Sequence, residues 1–512
     1  MFKINLAEDS RFKILLFFVA VVYGLLFILF LNSSSPSIST GDAHQWDGIG
    51  WNLAQGKGYS FSTHAPYILT MRREPGYPLL LAIIYKIFGH NLTIVKLLQV
   101  FVFGLSGIMT YLIGKEIFNA KIAKMSSLIF VLFPSSANYT TWILRETICT
   151  FIFLLIIYFL IKAVRTKKLK YFILISSIFA YALYINFIFI GFIFLFFLWY
   201  VFINKKICTI KRFLSVFILV IIVPLLIYMP WPIRNYKVFG TLKASLYSGV
   251  FIYARGLKLG YPMRDYIPKF ILFNTSERLT EHIYNINLDK YRDLSKHGYF
   301  SKERENKVFS DILEQGYSIP TEEDISIYKK VLSDLDQDVY GYVPEKVMYR
   351  EGLRTMELLR VGYNMTEIDN IKTKEGLTVI IKHPFKFLSQ SVLELLNMNF
   401  FAIPIFIAAQ KDITARFDKF KGGIAILSIS RLFFKVISLM VIFFAIKGMF
   451  IVWDFKHPTT ILVILIAYLN IVYALLSSTV SRFTIPLVPF YLLFCIAGII
   501  KFKKSVLRGK LE

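Results

Sequence analysis

Apolar residues run along both ends of the chain in stretches close to the ~20 residues that carry an α-helix across a ~30 Å hydrocarbon core. These runs occupy 14–31, 93–113, 125–139, 147–161, 171–185, 187–203 and 213–230, and then 429–446, 460–476 and 484–500. Ten such spans predict an all-α polytopic membrane protein. The middle of the chain breaks the pattern. From 234 to 382 it turns polar, with stretches such as SKERENKVFSDILEQ and TEEDISIYKKVLSDLDQD, and its apolar positions recur at spacings of three and four. That periodicity predicts helices and leaves little room for strands. Two shorter pieces stand outside the count. YPLLLAIIYKIFG, from Tyr77, is too short to cross and contains Lys86, so it reads as an interfacial helix, and HPFKFLSQSVLELLNMNFFAIPIF, from His383, reads as an amphipathic helix lying on the membrane. Three segments follow: an N-terminal membrane module, 1–233, with a first external loop at 32–92; a polar, mainly helical extracytoplasmic region, 234–382; and an amphipathic helix with C-terminal membrane helices, 383–512.

Composition supports this division and charge orients it. Hydrophobic residues make up 56% of the 512-residue chain and aromatics 17%, beyond what the surface of a soluble domain of this length accommodates. The formal charge of +26 raises the possibility of nucleic-acid binding. The basic residues, however, cluster beside apolar runs in GKEIFNAKIAK, AVRTKKLK, NKKICTIKR and KFKKSVLRGK, as the positive-inside rule expects of cytoplasmic loops. The predicted topology therefore puts both termini in the cytoplasm and no nucleic acid among the partners. The first apolar run is longer than a signal-peptide core, and the NSSSPSIST after it lacks a small-x-small cleavage site, so it is expected to remain as a membrane helix. Cys149, Cys208 and Cys495 have no CxxC spacing, which implies neither a disulfide framework nor a zinc site.

With this topology the unusual polar groups gather on the outer side. They are GDAHQWDGIGWNLAQGKGYS from Gly41, MRREPGYP from Met71, LRET from Leu144, PWPIRNYKVFG from Pro230 and STVSRFTIPLVPF around Arg482. Each has an ordinary explanation. Asp42 suits the N-cap of a helix starting near His44. Arginines near an interface anchor to headgroups. Trp46, Trp51 and Trp231 suit an aromatic belt, and the prolines punctuate helices. Together they are more specific, since a carboxylate at the membrane surface with arginines able to grip a phosphate suits chemistry on a lipid-linked sugar. Asp47 shares the short helix with Asp42, but a five-residue offset turns the two about 140° apart. That makes Asp47 a helix-surface residue in this reading.

The motifs resemble those of the GT-C membrane glycosyltransferases related to the protein O-mannosyltransferases (family 39) and to the lipid A aminoarabinose transferase. GDAHQWDGIGWNLAQGKGYS followed by RREPGYPLLLAIIYKIFG looks like their first external loop. RET, PWPIRNYKVFG, HPFKFL and SRFTIPLVPF follow in order, leaving roughly 274–372 unmatched. The resemblance implies a GT-C fold of about ten transmembrane helices and transfer of a sugar from a polyprenyl-phosphate donor to an acceptor glycan, lipid or protein outside the cell membrane, with inversion. By the same resemblance Asp42 is the general base, Arg73 contacts the lipid phosphate, Glu146 supports the site, and Arg234 and Arg482 are further phosphate or sugar contacts; Arg72, His44 and Glu74, beside these residues in the sequence, are further candidates for substrate binding. Relatives often carry Arg-Pro at the turn where this chain has Asn186. No cofactor is implied; a divalent metal held by His44, Glu74 and Glu146 is an alternative without tight ligand spacing behind it. A transporter or flippase of lipid-linked substrates is a rival reading, against which stand the absence of an inverted repeat and the placement of the charges at outer helix ends, away from the midplane. A glycan polymerase or ligase is another.

Overall fold

The computed structural model describes residues 6–31, 41–204, 209–246, 248–262, 294–295, 298–316, 318–338, 343–400, 423–476 and 481–508, and every regular element among them is helical. Six of these helices are long and apolar enough to cross a membrane: Glu8–Leu29, Leu92–Ile117, Glu146–Thr166, Ile210–Phe239, Thr459–Leu476 and Phe483–Ile500. Four more apolar helices are shorter, at Gly76–Phe88, Leu169–Ile185, Phe189–Asn204 and Val436–Ile451.

At the N-terminal end, α1 (Leu6–Leu31), α4 (Leu92–Ile117) and α5 (Ala120–Val131) pack around Leu16, Phe27, Phe103 and Phe130. The Asn91 side chain accepts from the backbone N–H groups of Thr93 and Ile94, which fixes where α4 starts. The expected span 125–139 is not one helix. Phe133 is extended, and Pro134 opens the five-residue α6 (Pro134–Asn138). A proline cannot donate into the ladder and disfavours a helical residue before it. The 12 residues of α5 reach only ~18 Å. Next come α7 (Glu146–Thr166), α8 (Leu169–Ile185) and α9 (Phe189–Asn204), whose buried faces meet through Ile157, Leu160, Phe172, Phe179 and Phe192. The run 210–239 is divided into α10 (Ile210–Phe217), a π-helical turn, α11 (Val223–Tyr228) and α12 (Pro230–Phe239).

The polar middle contributes α13 (Ser248–Lys258), α14 (Lys302–Lys307), α15 (Glu322–Asp338), α16 (Val343–Val361) and α17 (Met365–Lys382). It has a core of its own, built from Phe300, Ile312, Tyr328, Leu335, Tyr349, Met356 and Ile368. A capping box between Asn364 and Glu367 starts α17.

After it, α18 (Pro384–Phe400) exposes Phe385, Leu388, Val392 and Leu396 along one stripe. It buries Gln390, Ser391 and Glu394, which meet α13. There Lys258 Nζ donates to Glu394 at 2.8 Å, and Arg255 donates to Ser391 at 2.6 Å. The helix thus turns an apolar stripe outward and packs its polar side chains against α13. At the C-terminal end α19 (Gly423–Ile451), α20 (Thr459–Leu476) and α21 (Val488–Arg508) complete the bundle. Helices α19 and α21 cross where Gly448 meets Gly498, and a Cβ on either glycine would overlap the opposing backbone.

Candidate active site

Helix α2 (Gly41–Ala54) begins three residues earlier than its sequence suggests. Asp42 is therefore in the first turn, where the helix dipole favours a carboxylate, and is not a cap preceding His44. The helix packs on α3 (Gly76–Phe88), with the buried Trp46 indole set edge-on to Tyr77 at 5.7 Å. Beyond α2 the chain folds back over it. The Asn52 side-chain amide donates to the carbonyls of Ser60 and Ser62 at 2.8 and 2.9 Å, and the Tyr59 hydroxyl donates to the Arg73 carbonyl at 2.9 Å. Burial pushes the Tyr59 phenol well above its ordinary pKa, so it stays a donor.

Held in this way, Arg73 reaches α2. Its Nε donates to Gln45 Oε1 at 2.8 Å, its Nη2 pairs with Asp42 Oδ1, and its guanidinium lies 5.1 Å from the Trp46 ring centre. Asp42 and Gln45 are three apart and share a helix face, so one arginine engages both. Arg73 is 8% exposed, while the Asp42 side chain keeps 26%. The carboxylate is accessible and its counter-ion is enclosed.

Arg145 approaches the same indole at 5.3 Å. It donates to Glu74 Oε2 at 2.8 Å and to the Ile185 carbonyl at 2.6 Å, tying the start of α7 and the end of α8 to the REPGYP turn. Burial opposes its charge, but Glu74 together with the neighbouring Cys149, Tyr473 and Glu146 outweighs that and raises its pKa. Gly76 makes the junction possible, since a Cβ there would lie 2.8 Å from the Ile185 nitrogen. Glu146 is the first residue of α7 and is buried beside Arg145.

The remaining sequence-derived residues divide. Arg72 turns away from Asp42 and donates to the Leu313 carbonyl at 2.6 Å. Arg234 donates to the Thr70 carbonyl at 2.8 Å and is stacked among Tyr59, Trp231 and Phe239, supporting the loop from behind. His44 is exposed. The side chain of Arg482 lies outside the described residues. Among the described residues no three His, Cys, Asp or Glu side chains group to hold a metal ion, so His44, Glu74 and Glu146 do not form the set that a divalent metal would need.

Two expectations need correcting. Asp47 is not a helix-surface residue: it is 5% exposed and accepts from the Tyr85 hydroxyl at 2.6 Å and from His90 Nε2 at 2.9 Å. His90 in turn stacks on Trp51 at 4.9 Å. The helical offset was right, but α3 covers the face on which Asp47 lies. Trp46 and Trp231 are core residues, not belt residues. Sequence reasoning also passed over Gln45, Tyr59 and Lys96, and it took Arg145 for a headgroup anchor. Lys96, buried in α4, had a legible signal as a lysine inside a membrane-length helix. Arg145 had one in its position just before such a helix.

Residues 72–228 match the family model described as Dolichyl-phosphate-mannose-protein mannosyltransferase. Over this segment the chain is similar to that family. The match covers less than a third of the chain and includes Arg73, Glu74, Arg145 and Glu146, with Asp42 before it. A search of curated proteins gives no match. Among solved structures, one similar chain is the archaeal oligosaccharyltransferase AglB from Archaeoglobus fulgidus in complex with an inhibitory peptide and a dolichol-phosphate. It is 13% identical with a TM-score of 0.47, over 98% of this chain and 52% of that one. ArnT from Cupriavidus metallidurans bound to undecaprenyl phosphate is 10% identical with a TM-score of 0.36, over 96% and 76%. The chain spans about half the length of the archaeal enzyme.

Proposed function

We propose that this protein is a membrane glycosyltransferase that moves a sugar from a polyprenyl-phosphate donor to an acceptor on the extracytoplasmic side, with inversion. The observation that carries this reading is the pair formed by an accessible Asp42 and an enclosed Arg73 on the face of one short helix. Asp42 is the base and takes the proton from the acceptor hydroxyl. The acceptor oxygen then bonds to the anomeric carbon from the side opposite the phosphate, the bond from that carbon to the phosphate oxygen breaks, and polyprenyl phosphate leaves with the electron pair. Asp42 afterwards gives its proton to water.

Arg73 has two tasks in this scheme. A cation beside a carboxylate favours its ionised form, and the same guanidinium, with five N–H donors, stabilises charge developing on the leaving phosphate. Arg145 and Glu74 hold the loop against α7 and α8, so that the Asp42–Arg73 geometry persists when substrate enters. Glu146 supports that corner, and Arg72 and Arg234 shape the adjoining loop.

Base catalysis of this kind contributes about 10² to 10⁴ in rate. With the protein reconstituted in vesicles and supplied with polyprenyl-phosphate sugars, Asp42→Asn is expected to lose transfer by about that factor while keeping wild-type thermal unfolding. Full activity in a folded Asp42→Asn protein would remove Asp42 from the base role. Movement of donor lipid across the vesicle membrane without sugar transfer would favour a flippase instead.

A further inference from the structure

A cleft with a cavity volume of about 460 Å³ lies between the first loop and the polar middle region. One wall is the loop at 68–72; the others are the last turn of α12, the backbone at 315–316 and the first turn of α17. That volume falls in the range of small-molecule sites. Its lining combines apolar side chains, among them Leu69, Met71 and Phe239, with neutral hydrogen-bonding groups on Thr70, Gln315 and Thr366, and Arg72 adds one cation. An apolar face bordered by amides and hydroxyls suits a sugar ring, which presents an apolar C–H face and a rim of hydroxyl groups.

The position of the cleft narrows its role. Arg72 and Arg73 are neighbours with Cα atoms ~3.8 Å apart, yet Arg72 faces Leu313 and Arg73 faces Asp42. The cleft and the Asp42–Arg73 pair therefore share one stretch of chain as a wall. The cleft is otherwise built from the polar region and draws on the apolar runs only through the end of α12. Its apolar side chains come mostly from the loop and the polar region, such as Met71, Leu246 and Met365, and only Val238 and Phe239 continue a membrane-length helix along which a long polyprenyl tail would approach. The Gln315 amide is held in place by Ser62, whose hydroxyl donates to its Oε1 at 2.6 Å. That bond joins the loop to the polar region, so the cleft exists only when both are in place.

We propose that this cleft is the subsite for the acceptor and takes a saccharide group of it, a reading that rests on the glycosyltransferase function above. The test uses the full-length protein in lipid nanodiscs with methyl glycosides of glucose, galactose, mannose and N-acetylglucosamine as probes. Saturation-transfer NMR reads their binding, and transfer from a polyprenyl-phosphate sugar is measured separately. Leu69→Trp and Thr366→Trp fill the cleft from opposite walls; Leu69 is exposed, so its variant carries little risk to folding. At least one glycoside is expected to bind the wild type, with binding weakened at least tenfold in both variants and retained in Asp42→Asn. Silence of all four glycosides, equal binding by both filled variants, or a seryl peptide binding in the cleft in their place would overturn the proposal. If Asp42→Asn kept full transfer while the filled variants lost glycoside binding, the assigned base would fail and the subsite would stand.

Discussion

At the scale of single residues, the two carboxylates of α2 have separated into different roles. Asp42 is accessible and paired with one arginine, whereas Asp47 is enclosed by Tyr85 and His90. Asp47→Asn is expected to lower stability by about 1–3 kcal/mol, because it unbalances a buried acceptor with two donors aimed at it. Transfer by Asp47→Asn should fall only as far as folded protein is lost, which thermal unfolding and kcat per folded molecule together measure. Arg73→Lys keeps the charge and loses the fork that spans Gln45 and Asp42. Loss of a charged hydrogen bond of ~1.5–3 kcal/mol should reduce kcat/KM by roughly one to two orders of magnitude, with thermal unfolding little changed. A wild-type kcat/KM in Arg73→Lys would mean that the pair is structural only.

At the scale of elements, the helices are set by where the chain can and cannot donate hydrogen bonds. Pro134 ends an apolar run that otherwise has the composition of a span, and Asn91 and Asn364 start helices by taking on their first N–H groups. Packing between elements then depends on what is missing. Gly448 and Gly498 let α19 and α21 approach until their backbones touch. Gly448→Leu cannot be accommodated by a rotamer change, because the added Cβ itself meets the Phe494 carbonyl. The expected result is a loss of at least ~1–3 kcal/mol, the usual cost of overpacking, read as a lower unfolding temperature in detergent. Wild-type stability in that variant would show that α19 and α21 do not cross this way.

At the scale of the whole molecule, the two largest buried clusters among the described residues divide the chain between them. The large apolar core organises the membrane-type helices, and the smaller one, around Tyr328 and Met356, organises the polar middle. The smaller core brings its own pH dependence. Burial opposes ionisation of Asp324, but hydrogen bonds from Arg304 and Thr321 outweigh it and hold the carboxyl below its ordinary pKa of 3.8. A depressed pKa contributes stability that is complete above the unfolded value and lost as pH falls towards the folded one. The polar region should therefore weaken below about pH 4, and Asp324→Asn should flatten that part of the profile while lowering stability near neutral pH. Circular dichroism across an acid titration of the two proteins measures both effects.

Read alone, the sequence determined the helical class, most of the membrane-length runs, the polar interruption and the amphipathic character of 384–400. Each of these follows from local periodicity or from the length that a bilayer demands, and neither needs knowledge of distant residues. It also picked out Asp42, Arg73 and Glu146 as residue types in unusual places. Only the tertiary structure decided that Arg73 meets Asp42 across 31 positions, that Arg145 and Trp46 join them, and that Arg72 faces the other way into a cleft. Helical spacing gives the angle between two side chains but not which face another element will cover, and α3 covers the face that carries Asp47. Long-range pairing depends on how a loop folds back, and that is settled by packing and by hydrogen bonds such as Tyr59 to the Arg73 carbonyl, to which no local pattern points.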